Sequence, residues 1–168
     1  MLALDYQAFD QNTPWGGWRG VGRHVECASA AGDLIAAYRG RHEETLSVGQ
    51  RRILDWHEGQ MRAKGGEYDR AATLFEAAKH LAPEDGYDEA WNFYADASSA
   101  FVRRDREALD AAFDAMMALP LPDDWEAYSA AVVEMLGREP RWPNNIEVVE
   151  QLRDCFDATY DEAYGDGC

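Results

Sequence analysis

Residues 53–83 read ILDWHEGQMRAKGGEYDRAATLFEAAKHLAP. One run of helix formers ends at Gly65-Gly66, a second follows, and Pro83 closes it. Gly is favoured just past a helix C-terminus and Pro cannot continue a helix. The stretch therefore predicts two antiparallel helices joined by a short turn. Upstream, Ser47-Val48-Gly49-Gln50 has the form of a capping box, so the first helix should open there and run to about Lys64.

The same punctuation recurs along the chain. Helices are expected at about 88–103 and 105–118, closed by Pro120 and Pro122. Toward the N-terminus, a helix from Trp18 to about Ala30 should turn at Gly32-Asp33 into a second helix over 33–42. Residues 2–11 could form a short helix with Leu2, Tyr6 and Phe9 on one side, followed by a break over Asn12–Gly17. Asp123-Asp124 should cap a helix to Leu136 that Gly137 stops, and a last helix is expected over about 145–163, capped by Asn144 or Asn145. No run alternates apolar and polar residues as a strand would, and the abundant Ala favours helix. The expected class is all-α, with about eight or nine helices.

Three of these pairs are alike. Their first helices read Trp18-Val21-Gly22-Val25-Ala28, Ile53-Trp56-His57-Gln60-Ala63 and Trp91-Tyr94-Ala95-Ser98-Phe101, each set on one helical face. In the second helices, Ala71, Phe75 and Ala78 follow Gly66 at the offsets at which Leu109, Phe113 and Met116 follow Arg104. Turns at Gly32, Gly66 and Arg104 lie 34 and 38 residues apart. Self-similarity at such a period marks stacked helical units, each covering its neighbour's apolar face.

Gly66-Glu67-Tyr68-Asp69-Arg70-Ala71, Phe75, Ala78 and Pro83 resemble the second half of the tetratricopeptide repeat. Trp91-x-x-Tyr94-Ala95 and Trp18-x-x-Val21-Gly22 resemble its opening W-x-x-L-G. The resemblance implies antiparallel hairpins stacked as a short right-handed superhelix. It divides a single domain, 1–168, into units of about 18–46, 47–83 and 84–122, with C-terminal capping helices over 123–164. It also implies a concave groove, lined by the first helices, that holds an extended peptide. With Trp18, Ile53 and Trp91 in the core, the groove strip carries Arg19 and Arg23, then Leu54, Glu58 and Arg62, then Asn92, Asp96 and Ser99. Arg19 and Arg23 at i, i+4 could meet a carboxylate. The family's lysine and asparagine clamp for a C-terminal carboxylate is not matched. A second phase, with Gly59 at the family's glycine, moves Trp56, Gln60 and Lys64 to the groove. The first is preferred because it buries Trp56 and exposes Glu58.

Composition bounds the partners. The net charge of −16 argues against nucleic acid and against an anionic membrane surface, since both need clustered cations. No run approaches the 18 apolar residues of a membrane span, and the first residues have neither the basic start nor the apolar run of a secretory signal. Cys27, Cys155 and Cys168 are odd in number and scattered, which argues against a disulfide framework and fits a reducing cytoplasm.

No catalytic, metal or cofactor set is assigned. His24-x-x-Cys27 is the only tight pair of metal-ligand types, far short of a four-ligand zinc site. The glycines of Gly16-Gly17-x-x-Gly20-x-Gly22 lack the preceding strand of a phosphate loop. Trp15, Trp125 and Trp142 lie outside the repeat and could pack the caps or form an exposed patch. The expected function is a non-catalytic adaptor or scaffold that binds a protein or peptide. The alternatives are a self-assembling subunit joined through the apolar last helix (Ile146, Val149, Leu152, Phe156), or a small helical enzyme using His24, Cys27 and His57.

Overall fold

A computed structural model describes residues 1–12, 16–165 and 168. The chain is all-helical, and no strand occurs among the described residues. A π-helical turn at Gln7–Gln11 precedes α1 (Gly17–Val21), a 3-10 turn (Val25–Cys27), α2 (Ala28–Arg41), α3 (Val48–Lys64) and α4 (Tyr68–Ala77). Then come α5 (Gly86–Val102), α6 (Arg106–Met117), α7 (Trp125–Leu136), α8 (Ile146–Asp154) and α9 (Tyr160–Tyr164). Consecutive helices from α2 to α6 pack on one another, α8 covers α5 and α6, and α9 returns to α3.

The central hairpins form as the sequence predicts. Ser47 Oγ accepts the Gln50 amide at 3.1 Å, and the Gln50 side chain accepts the Ser47 amide at 2.9 Å. Asp85 caps α5 in the same way. Both first helices have 17 residues, and Val48 and Gly86, which begin them, lie 38 residues apart. Their turns match as well. Gly66 and Arg104 take φ of +77° and +58°. The Glu67 amide donates to Arg62 O at 2.8 Å and the Asp105 amide to Ala100 O at 2.9 Å. These are the bonds that satisfy the last carbonyls of a helix.

The N-terminal unit departs from expectation. α1 stops at Val21, and Gly32 lies inside α2 instead of making a turn. The reason is a close approach. A Cβ on Gly32 would stand 2.9 Å from Arg62 Nε, so the missing side chain makes room for a buried guanidinium. The predicted hairpin with its turn at Gly32 is therefore corrected to one continuous helix.

The C-terminal helix is also interrupted. Arg104 donates to the carbonyls of Phe156 and, at 2.7 Å, Ala158. These take the place of helix bonds, and a second capping box at Thr159 and Glu162 restarts the chain as α9. Asp124 occupies the N-cap of α7, but its carboxylate accepts the Tyr87 hydroxyl at 3.1 Å instead of a backbone amide. Asn145 caps α8 with φ +66° and no side-chain bond. Gly137 ends α7 in the left-handed conformation, as predicted. Cys155 and Cys168 are joined as a disulfide with Cα atoms 5.5 Å apart, which corrects the expectation of unpaired thiols.

Two cores share α3 as a common wall. Leu54 and Met61 belong to an N-terminal cluster with Phe9, Trp18, Ile35 and Tyr38. Trp56 and Ala63 belong to a larger one with Phe75, Tyr94, Phe101, Leu109, Ile146, Leu152 and Tyr160. Ile146, Val149 and Leu152 are fully buried, so the apolar stripe expected to drive self-assembly is interior packing.

Gly59 is where α3 and α4 come closest, since an added Cβ would lie 2.9 Å from the Phe75 ring. Gly59→Ala is expected to lower unfolding free energy by about 1–3 kcal/mol. Gly40→Ala, in an open part of α2 with nothing within 4 Å, should raise it by about 0.5–1 kcal/mol. Urea denaturation of the two variants checks both signs.

Candidate functional site

The strip expected to face a ligand is largely occupied by the protein itself. Glu58 has no exposed surface and Arg62 only 1%. The expectation that Glu58 is exposed is therefore corrected. Its Oε1 accepts from Arg70 Nη2 at 2.8 Å and from Arg62 Nη2 and Nε at 3.4 Å. Arg39 Nη2 lies 2.9 Å from Oε2, an ion-pair distance, although the groups are not aligned as a hydrogen bond. Arg62 also pairs with Asp33 at 2.6 Å and with Glu67 at 3.1 Å. Arg39 further bonds Asp55. Burial raises the Asp55 pKa, and Arg39 only partly offsets this. The group ties α2, α3 and α4 together. A buried carboxylate is tolerated only when paired in this way.

On α5 the strip is used similarly. Asn92 accepts the His80 amide at 2.7 Å and donates to the His80 carbonyl at 2.9 Å. Asp96 takes Lys79 at 2.5 Å, and buried Ser99 accepts from Arg103 at 2.6 Å. Leu54 is core, and Arg23 lies on the surface. Gly59, which the second phase places at the family's glycine, is the close-approach residue, yet Trp56 stays buried at 4% exposure as the first phase requires.

Arg19 belongs to a second cluster. Its guanidinium donates to the Asp10 carbonyl and to His57 Nε2 at 3.4 Å. Arginine cannot accept, so Nε2 is the acceptor and Nδ1 carries the proton. Nδ1–H then donates to Asp10 Oδ1 at 2.8 Å, which also receives Trp18 Nε1–H at 2.8 Å. Burial alone would raise the Asp10 pKa. The hydrogen bonds from His57 and Trp18 and the charge of Arg19 outweigh it and hold the pKa below the usual value. Tyr6, beside this carboxylate, is pushed up to about 12 by burial and by Asp10. An Asp–His pair with both imidazole nitrogens engaged is a clasp between the N-terminal segment and α3. His24 is exposed and Cys27 half-buried. Among the described residues, no three His, Cys, Asp or Glu side chains gather as a metal site.

An opening of about 810 Å³ lies elsewhere, between the N-terminal half of α3, the end of α4 and the start of α5. Val48, Arg51, Arg52, Lys79, His80, Leu81 and Asp88 line it. Leu81 is fully exposed and Val48 is 80% exposed. Lys79 and His80 are paired with Asp96 and Asp88. Among the described residues Arg52 has no hydrogen bond or ion pair, and its Nε is buried without a partner. Sequence reading missed this place because helix periodicity gives the faces of single helices, whereas the groove joins an α3 flank to the α4–α5 link. The Arg51-Arg52 doublet in an acidic chain was its one available signal. Trp125 and Trp142 pack edge to face at 5.5 Å with Tyr87 and Tyr128 around them, while Trp15 lies outside the described residues.

The class these observations define is an all-helical protein with two closely matched central hairpins. Comparison with known protein families, with curated proteins and with solved structures finds no match.

Glu58→Gln should lower unfolding free energy by about 3–5 kcal/mol, since it leaves three arginines facing a neutral amide; thermal and urea unfolding measure it. Asp10→Asn should lower it by about 1–3 kcal/mol near neutral pH. The folded pKa of Asp10 is depressed, so its contribution is present above the unfolded value, about 3.9, and lost as pH falls through the folded one. The gap between wild type and Asp10→Asn should therefore close below about pH 4 in denaturation series.

Proposed function

We propose that this is a non-catalytic helical-repeat protein, stacked in the manner of tetratricopeptide repeats, that binds a segment of another protein in the α3–α4–α5 groove. The observation that carries this reading is Arg52, an unpaired guanidinium beside the exposed side chains of Leu81 and Val48. A cation whose Nε is removed from water without a partner favours an incoming acceptor. The first turn of α3, whose dipole is positive at that end, adjoins the same opening. The preferred segment is extended or helical, with a carboxylate to meet Arg52 and an apolar side chain to cover Leu81. Arg51, Arg52, Lys79 and His80 converge on this groove beside Asp55, Glu76, Glu84 and Asp88, and Lys79 and His80 are already paired, so Arg52 is the cation left for an acidic segment.

The contacts of both His57 nitrogens, with Arg19 and with Asp10, support the non-catalytic side of this reading. No helix among the described residues is long and apolar enough to cross a membrane. We place the protein in the cytoplasm.

Screening an immobilised library of random 12-residue peptides tests the binding claim. Enriched peptides should carry Asp or Glu next to a large apolar residue, and Arg52→Glu or Leu81→Asp should weaken them by about tenfold or more. A library with no enriched peptides, or binding that both variants leave unchanged, contradicts it.

A further inference from the structure

α7 is the helix with the least cover. Of its 12 residues, WEAYSAAVVEML, only Val132 is buried. Trp125 and Tyr128 seat its first half on Tyr87 and Trp142, and Asn144 donates to the Tyr128 hydroxyl at 3.2 Å. Its second half runs past this seat, and Met135 is 73% exposed and Leu136 54%. Met117 and Leu121, just before α7, are exposed as well. Among the described residues, most of the large apolar side chains left in water thus lie between 117 and 136. A concentration of this kind marks a surface that meets another macromolecule.

The order of residues along one exposed flank of the helix indicates what covers it. Ala127, Ala131 and Met135 follow one another at i, i+4 and i+8, all exposed. Asp123 and Asp124 stand at the N-terminal end of this row and Arg138 at its C-terminal end, again exposed. A second α7, antiparallel and crossing at Ala131, sets Met135 of each copy against Ala127 of the other. Large then meets small on both sides of a central Ala131–Ala131 contact. The same crossing sets Arg138 of each copy against Asp124 of the other, with Glu139 opposite Asp123, and it opposes the two helix dipoles favourably. A parallel pairing would oppose like charges at both ends. The face is therefore complementary to itself under a two-fold axis, the arrangement of an isologous dimer.

We propose that this face is the interface of a homodimer formed by antiparallel pairing of α7, apart from the α3–α4–α5 groove. A helix of this length spans about 18 Å, so the contact is smaller than a standard permanent interface and the dimer dissociates on dilution.

Sedimentation velocity of the full chain between about 1 and about 300 µM reads the outcome. Wild type should pass from monomer to dimer across this range. Met135→Asp, at a position exposed in the monomer, should remain monomeric while circular dichroism shows its helices intact. Arg138→Glu should raise the dissociation constant by about tenfold. The charge swap Asp124→Arg, Arg138→Glu should restore it. A wild type that stays monomeric throughout overturns the proposal. So does a dimer indifferent to Met135→Asp, which would place the contact elsewhere. A charge swap that fails to restore association overturns the antiparallel arrangement.

Discussion

The Glu58 carboxylate is the contact on which the arrangement of α2, α3 and α4 depends. It has no exposed surface, and its three charged partners come from three different helices: Arg39 from α2, Arg62 from α3 and Arg70 from α4. A bare carboxylate in such a place would cost several kcal/mol, so the helices are held where all three guanidiniums can reach it. Hydrophobic packing of alanine-rich faces tolerates sliding, whereas a set of ion pairs anchored on one residue does not. Gly32 completes the arrangement by leaving space for the Arg62 guanidinium, which continues to Asp33 and Glu67.

A weaker version of the same device joins the next pair. Lys79, after α4, reaches Asp96 on α5, as Arg39 on α2 reaches Asp55 and Glu58 on α3. In each case a cation on or just after a second helix meets an acid on the following first helix. Beyond α5 the logic changes to apolar burial. Tyr160 packs against Phe75 and edge to face against Phe101, and α8 buries Ile146, Val149 and Leu152, with the Arg153–Asp110 pair to α6 at its edge. α3 stands between the two regimes and contributes one face to each core.

Much of this was legible in the sequence where a signal is local. The capping box at Ser47, the stop at Gly65-Gly66, the core position of Trp56 and the equivalence of Arg104 with Gly66 all rest on residues within a few positions of each other. The failures share a cause in distance along the chain. Gly32 reads as a turn until the side chain of Arg62 is placed against it. The break before α9 depends on Arg104, more than fifty residues upstream. Arg62, Glu58, Asp96 and Ser99 look like a polar binding strip because helical periodicity shows which side chains share a face but not whether another element covers it. The Cys155–Cys168 pair has no spacing signature, and only the return of α9 brings its ends together.

With that strip committed to internal pairing, the chemistry left for partners is what the fold does not consume: Arg52 with Leu81 in the groove, and the outer face of α7. The central claim beneath both is that the Glu58 and Arg62 charges on α3 are structural. Native-state hydrogen exchange of Glu58→Gln tests it most directly. Amides of α2, α3 and α4 should lose protection together, while those of α5, α6 and α8 keep it. Unchanged protection in α2 and α4, with the loss confined to the residues beside position 58 or spread evenly over every helix, would contradict the account.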